Sequence, residues 1–139
     1  MPERLILVVV LAAILAVAIL AVRAWSASQT AMTQRIGPAW DALGERPDGR
    51  PTLVAFSTPS CTACHKAQAP AIALVREQLG LDHLRVIRID AARQPDVARA
   101  FGVLTVPSTV VIGTDGDQIV AINRGFAPSG RLLEQLAQA

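Results

Sequence analysis

The stretch Thr52–Cys64, which reads TLVAFSTPSCTAC, decides the fold of this chain. Its apolar first half, Thr52–Ser57, predicts a buried strand, Thr58–Ser60 predicts a turn, and a helix comes next. Two thiols at positions i and i+3 of a first helical turn lie on one face and can form a disulfide. The N-terminus of a helix favours an anion, and therefore favours the thiolate of Cys61. We interpret the pair as redox-active, with Cys61 attacking a disulfide and Cys64 resolving the intermediate.

The N-terminal segment Leu5–Val22 contains no charged or polar side chain. As a helix it would be roughly 27 Å long, close to the hydrocarbon thickness of a bilayer. We expect residues 1–24 to be an uncleaved, single-pass membrane anchor, and a signal peptide cleaved near Ala24-Trp25-Ser26 is the alternative. Because a short N-terminal span ahead of a domain usually exports that domain, we expect the rest of the chain outside the cytoplasm.

Composition excludes some classes of function for the rest of the chain. The 139 residues carry a formal net charge of +2. The charges are scattered and form no basic stripe, so nucleic-acid binding has no support. The two cysteines both belong to one motif, which argues against a structural disulfide framework. Residues 25–37 are small and polar and predict a juxtamembrane linker, and residues 38–139 predict one compact domain.

Beyond the first strand, periodicity and turn residues predict a regular alternation of elements. The expected elements are a helix at 61–79, a strand at 84–90, a helix at 95–101, strands at 108–112 and 118–123, and a helix at 131–138 capped by Ser129. The order is β-α-β-α-β-β-α. The first two strands should be parallel through a right-handed crossover, and the last two should form an antiparallel hairpin. We expect Trp40, Phe56 and Phe101 to be core or rim residues.

Four signals occur in an order that is typical of a known family. They are the strand before Cys61–Cys64, Ile89-Asp90 ahead of Pro95, the run Phe101–Thr109, and the Asp115-Gly116 turn before Gly125-Phe126. Together they make residues 38–139 resemble the thioredoxin-like proteins. The resemblance implies an α/β thioredoxin-like fold, with a central mixed sheet flanked by helices and here preceded by one transmembrane helix. It also implies a thiol–disulfide oxidoreductase that acts on protein thiols and disulfides without a cofactor.

The resemblance assigns a role to the proline at position 107. In the family, the matching proline is cis and lies against the active-site disulfide. The same arrangement here would place the backbone of Val106 opposite Cys61, where an extended substrate peptide can pair with it. We expect Val106 and Pro107 to bind substrate. Phe126 is expected to be a core or rim residue, or to line the same groove.

The chain also departs from the thioredoxin pattern around its cysteines. Ser60 stands where an aromatic residue is usual, Thr62-Ala63 replace Gly-Pro, and Ala55 replaces a buried acid on the first strand. The helix proline comes one residue later than usual, at Pro70. We expect Thr62, Ala63 and His65 to tune the active site. Without the acid, the proton route to the second cysteine is expected to use water or His65.

His65 raises two alternatives to the redox interpretation. The motif C-x-x-C-H also attaches haem covalently, in which case His65 would bind the iron and Met32 would be the distal ligand. A zinc site would need both cysteines together with His65 and His83. Against haem, the remaining strands and Pro107 have no use in a small helical cytochrome. We expect His65 to be a solvated helix residue that favours the thiolate by its charge.

These observations lead to a function hypothesis. We expect a membrane-tethered thiol–disulfide oxidoreductase, acting outside the cytoplasm as a reductant or as an oxidant, depending on its reduction potential. A reductant there needs a transmembrane thiol electron donor, and apocytochrome c is a plausible client by analogy with tethered relatives. The alternative from another class is a non-catalytic module that binds peptides in the groove beside Pro107.

Overall fold

The computed structural model describes residues 2–31 and 37–139, in two compact units. The first unit contains one long helix, α1 (Pro2–Ala31). Within it, Ile6–Arg23 is long and apolar enough to cross a membrane, although an N-terminal signal sequence would meet the same criteria. The helix continues through Ala31 and so enters the segment that the sequence predicts as a linker.

The second unit alternates strands and helices in the predicted order, preceded by a short helix. Its elements are α2 (Gly37–Leu43), β1 (Thr52–Ser57), a π-helical segment (Cys64–Gln68), α3 (Ala69–Leu79), β2 (Arg85–Asp90), α4 (Pro95–Ala100), β3 (Ser108–Ile112), β4 (Ile119–Arg124) and α5 (Ser129–Ala137). This is the thioredoxin-like α/β arrangement that the sequence predicts.

The four strands form one mixed sheet in the order β2-β1-β3-β4. β1 pairs with β2 in parallel and with β3 antiparallel, and β3 and β4 form the predicted hairpin. Phe56 pairs with Ser108, so the end of β1 lies beside the start of β3. The segment after β1 and the segment before β3 therefore meet at one end of the sheet.

Side chains of β1 alternate between two apolar clusters, one on each face of the sheet. Val54 and Phe56 pack among residues of α2 and α4, whereas Leu53 and Ala55 pack among residues of α3 and α5. The rings of Phe56 and Phe101 meet edge to face, with centroids 5.6 Å apart. Successive side chains of a strand point to opposite faces of the sheet, and helices cover both faces here. This explains why β1 is apolar along its whole length.

The short helix α2 is fastened to the β3–β4 hairpin. The indole Nε1 of Trp40 donates a buried hydrogen bond of 2.7 Å to the carbonyl of Gly116. Gly116 has φ of +72°, and its α-carbon faces the ring of Pro47 closely enough that a Cβ would lie 2.3 Å from Pro47 Cγ. The turn therefore requires glycine for its backbone conformation and for space.

The start of the last helix differs from the prediction. The N-cap of α5 is Pro128, in an extended conformation with φ −67° and ψ 157°, and no side chain caps the helix. Ser129 is already helical, so its predicted role as the cap is wrong. Because the proline ring fixes φ near the value observed, Pro128 holds the extended residue that precedes the first turn. Leu132 and Leu136, four residues apart on one face of α5, are buried.

Candidate active site

The two cysteines come after a tight turn at the end of β1. The backbone N–H of Cys61 donates to the carbonyl of Thr58 at 3.1 Å, which closes the turn. The carbonyl of Cys61 then accepts the N–H of His65 at 3.3 Å, so Cys61 stands at the position that caps a helix. The turn thus brings Cys61 to the N-terminal end of the helix, where unsatisfied backbone N–H groups collect.

Cys61 and Cys64 form a disulfide, with α-carbons 5.3 Å apart. Their surroundings differ, because Cys61 is half-buried whereas Cys64 is only 4% exposed. The backbone N–H of Cys64 donates to Cys61 Sγ at 3.2 Å. A hydrogen-bond donor directed at this sulfur stabilises negative charge on it. Thr62 and Ala63, between the cysteines, are exposed, and so is His65.

The helix that carries Cys64 is not continuous, in contrast to the prediction of one α-helix over 61–79. Residues Cys64–Gln68 form a π-helical turn, in which the N–H of Ala69 donates to the carbonyl of Cys64. α3 then begins with Pro70 in its first turn, where a missing N–H is tolerated best. Pro70, which comes one residue later than in the thioredoxin pattern, therefore follows this π-helical turn directly.

Gln68, in the π-helical turn, is a buried polar residue that sequence reasoning missed. Its side-chain Nε2 donates to the carbonyl of Ala127 at 3.0 Å, and its Oε1 accepts the N–H of Ala127 at 2.9 Å. Ala127 lies between α5 and Phe126, and the side chain of Phe126 is 48% exposed. The amide therefore ties the helix of the disulfide to a loop 59 residues further along the chain.

A cavity of about 90 Å³ lies behind the disulfide. Cys64, His65 and Gln68 line one side of it, and Ala55 and Arg88, which are register partners on β1 and β2, line another. Among the described residues that line this cavity none is acidic. Ala55 stands where the thioredoxin pattern has a buried acid. The cavity beside Cys64 is therefore lined by the guanidinium group of Arg88 and, among these residues, by no carboxylate.

The ring of His65 is held close to the turn. Its Nε2 lies 3.2 Å from the carbonyl oxygen of Pro59, so the nitrogen at that position donates as N–H. The side chain is exposed and also borders the cavity behind Cys64. The proton route to Cys64, through water or through His65, stays a prediction.

The peptide bond between Val106 and Pro107 is cis, as the resemblance implies. The carbonyl of Pro107 accepts the N–H of Gly125 at 2.8 Å, so the loop before α5 is held against it. Val106 and Thr58 line one open groove of about 300 Å³, and the neighbouring Leu104 is 87% exposed. The groove therefore adjoins the turn that carries the disulfide and has an apolar rim.

The structure does not bring together the ligands that a zinc site would need. His83 lies in the loop after α3, where its N–H donates to the carbonyl of Gly80, at the opposite end of that helix from His65. The described residues contain no group of three or more His, Cys, Asp or Glu side chains placed to hold a metal. Met32, the expected distal ligand in the haem alternative, lies outside the described residues.

A half-buried cysteine at a helix N-terminus, a buried partner one turn on and a cis-proline at the same end of the sheet define a thiol–disulfide oxidoreductase of the thioredoxin fold. Comparison with known proteins agrees with this class. Residues 37–138 match the Thioredoxin family, and this chain belongs to that family.

Individual relatives cover the same part of the chain. A thioredoxin of Bacillus subtilis (strain 168) is 32% identical over 82 residues, which are 59% of this chain and 75% of the relative. The SPbeta prophage-derived thioredoxin-like protein YosR of the same organism is 28% identical over 88 residues, 60% of this chain and 96% of the relative. The structure of a thioredoxin mutant from Halobacterium salinarum NRC-1 is 26% identical, with a TM-score of 0.57 over 66% of this chain and 76% of that one.

Proposed function

We propose that Cys61 is the nucleophile and Cys64 the resolving thiol in disulfide exchange with protein substrates. The observation that carries the proposal is the asymmetry of the pair: Cys61 is half-buried and receives the N–H of Cys64, whereas Cys64 is buried. The attacking thiol must reach a substrate sulfur and must be a thiolate, and both requirements favour Cys61. The backbone of Val106 beside Pro107 would hold the substrate strand.

The reducing half-cycle balances as two exchanges. The thiolate of Cys61 attacks one sulfur of the substrate disulfide, a mixed disulfide forms, and the other substrate sulfur leaves and takes up a proton. Cys64 then loses its proton and attacks Cys61 Sγ, which releases the second substrate thiol and forms the Cys61–Cys64 disulfide. Two electrons pass to the substrate, and the oxidising cycle is the same sequence in reverse.

Two serine variants separate these roles. Cys64→Ser is expected to accumulate mixed disulfides with substrate, since Cys61 still attacks but nothing resolves the product. Cys61→Ser is expected to form none and to reduce no insulin disulfides, while a peptide lacking cysteine still binds the groove. Mass spectrometry of trapped adducts distinguishes the variants. Equal trapping by both would contradict the assignment, and a wild-type chain that binds the peptide but reduces no insulin would favour the non-catalytic binding module.

We further propose that Leu5–Val22 tethers the domain to a membrane, with the domain outside the cytoplasm. The apolar length of the segment supports a span, and detection of the intact N-terminus in a membrane fraction would test it. A mature protein that begins after Ala24, recovered from the soluble fraction, would instead identify a cleaved signal peptide.

We also propose that the tethered domain works as a reductant fed by a transmembrane thiol donor, with apocytochrome c among its clients. Because both cysteines of the chain belong to the pair, the electrons that restore its reduced form come from an external thiol, and we propose that a transmembrane protein supplies them. The full chain in detergent, equilibrated in dithiothreitol buffers, gives its reduction potential. A value near about −270 mV fits a reductant, and one near about −120 mV would reverse the direction.

A further inference from the structure

An open cleft lined by arginines lies beside the strand β2, at the last turn of α3, and its Arg88 also lines the cavity behind Cys64. Its volume is about 460 Å³. The cleft is bordered by β2, by the last turn of α3 and by the loop between them. Four arginines line it: Arg50, Arg76, Arg85 and Arg88. We call this feature the arginine cleft.

The positive charges of two of the four arginines are already neutralised by acidic side chains. Arg50 forms a salt bridge of 2.6 Å with Asp48 and also lies in the field of Asp82. Arg85 pairs with Glu45 and approaches Asp48 at 3.8 Å. These contacts neutralise most of the charge on the side of the cleft near the start of β1.

The other two arginines form no salt bridge with the described residues. Arg76 is half-buried on α3 and Arg88 is exposed on β2. In the described part of the chain, no acidic side chain lies within salt-bridge distance of Arg76 or Arg88. The cleft therefore presents two guanidinium groups to whatever enters it, and guanidinium groups bind carboxylates in a well-defined planar geometry.

The strand beside these arginines is an open edge of the sheet. β2 pairs with β1 on one side, where the N–H groups of Arg85 and Ala91 donate to β1-side carbonyls at 3.0 and 2.8 Å. Because N–H groups alternate in direction along a strand, those of Val86 and Arg88 point away from β1. Within residues 2–31 and 37–139, no strand pairs with that outer side.

The cleft combines unpaired backbone N–H groups on β2 with two guanidinium groups that have no acidic partner. One ligand can satisfy both sets if it offers backbone carbonyls and carboxylates. We propose that the β2 edge binds an extended, acidic polypeptide segment as an added strand. Its backbone pairs with the outward groups of Val86 and Arg88, and carboxylates on alternate residues reach Arg76 and Arg88. Leu81, which is 61% exposed in the same cleft, contacts apolar side chains of that segment. This interaction goes beyond disulfide exchange and does not involve the cysteines.

A polypeptide fits these observations better than an anionic lipid headgroup. A headgroup uses only the arginines and leaves the outward N–H groups of β2 unpaired, whereas a strand satisfies both sets of groups at once. Strand addition also gives selectivity, because only a segment that is both extended and acidic gains the two contributions together.

The test uses the oxidised full chain in uncharged detergent and a fluorescein-labelled, cysteine-free peptide of alternating Glu and Val. Fluorescence anisotropy gives the Kd. We expect Arg76→Gln with Arg88→Gln to weaken binding about ten-fold, as the loss of two partly solvated ion pairs implies. The control Arg93→Gln with Arg131→Gln removes the same charge from exposed positions outside the cleft and should leave the Kd nearly unchanged. If the first double variant fails to fold, Arg88→Gln alone, at an exposed position, replaces it.

A second peptide, methylated on alternate backbone nitrogens, tests strand pairing, and we expect it to bind at least about ten-fold more weakly than its parent. Three results would overturn the proposal: no binding of the Glu–Val peptide, equal weakening by the two double variants, or unchanged binding of the methylated peptide. Binding of monomeric short-chain phosphatidylglycerol, lost in the Arg76/Arg88 variant while the peptide does not bind, would assign the cleft to a lipid headgroup instead.

Discussion

The side chain of Gln68 and the backbone of Ala127 exchange two hydrogen bonds, of 3.0 and 2.9 Å, in a buried setting. This pair joins the π-helical turn behind Cys64 to the loop that carries Gly125 and Phe126. Since the carbonyl of Pro107 accepts the N–H of Gly125, the helix, the cis-proline segment and this loop are linked at one end of the sheet.

Replacing Gln68 should therefore affect both stability and substrate affinity. We expect Gln68→Ala to lower the free energy of unfolding by about 1–3 kcal/mol, because both backbone groups of Ala127 lose their partner. Urea unfolding gives this value, and insulin-reduction kinetics should show a raised KM with a smaller change in kcat. Gln78→Ala, on the exposed face of α3, is the control and should be nearly silent. An unchanged KM would show that the pair is structural only.

An acid restored at position 55 should make stability depend on pH. Ala55 is 8% exposed beside the cavity behind Cys64, so burial would raise the pKa of an aspartate there. A folded-state pKa above the unfolded one means that stability falls as the pH rises through this interval. We expect Ala55→Asp to be less stable than Ala55→Asn by about 1–3 kcal/mol at neutral pH, and by less at low pH. Urea unfolding at several pH values tests this. The opposite slope would show that Arg88 binds the new carboxylate.

The turn between β3 and β4 should tolerate no side chain at Gly116. Gly116→Ala would combine a positive φ with a Cβ placed 2.3 Å from Pro47 Cγ. Gly44→Ala, also at a positive φ but with no atom within 4 Å of the added Cβ, carries only the backbone penalty. We expect thermal or urea unfolding to give a loss of about 1–2 kcal/mol for the control and about 1–3 kcal/mol more at Gly116. Equal losses would mean that the Pro47 loop moves aside freely.

Asp48 should contribute to stability only while it is ionised. A hydrogen bond from the side chain of Arg50 holds the pKa of this carboxyl below its usual value. Its contribution is therefore present above the unfolded pKa and is lost as the pH falls through the lower folded-state value. The difference in stability between the wild type and Asp48→Asn should shrink as the solution is acidified. Unfolding curves across the acid range test this, with Asp41→Asn as the exposed control, and a difference that stays constant would contradict it.

The sequence was sufficient for the architecture because each strand and helix left a local signal. The alternation in β1, the prolines and glycines at the turns and the spacing of the cysteines are all properties of neighbouring residues. The exact start of α5 was mispredicted because Ser129 and Pro128 both suit that boundary, and local preference does not choose between them.

The contacts around the site were beyond sequence reasoning for a different reason. Gln68 meets Ala127 across 59 residues, and the arginine cleft assembles a loop, a helix end and a strand. Such long-range contacts depend on how helices and strands pack against one another, and hydrophobic periodicity does not predict that packing. The π-helical turn was also not predicted, since we noted the late Pro70 but expected one continuous helix.

Two copies of this chain that met along their β2 edges would bring the exposed Arg88 of each copy to the shared edge, together with Arg76 from the same cleft. Unpaired edge strands are the usual route by which sheet proteins associate and aggregate, and basic side chains along an edge oppose that association. The uncompensated arginines therefore repel a second copy while leaving the backbone open to an acidic strand. We therefore expect the domain to resist edge-to-edge growth into a continuous sheet when it is crowded at high local density.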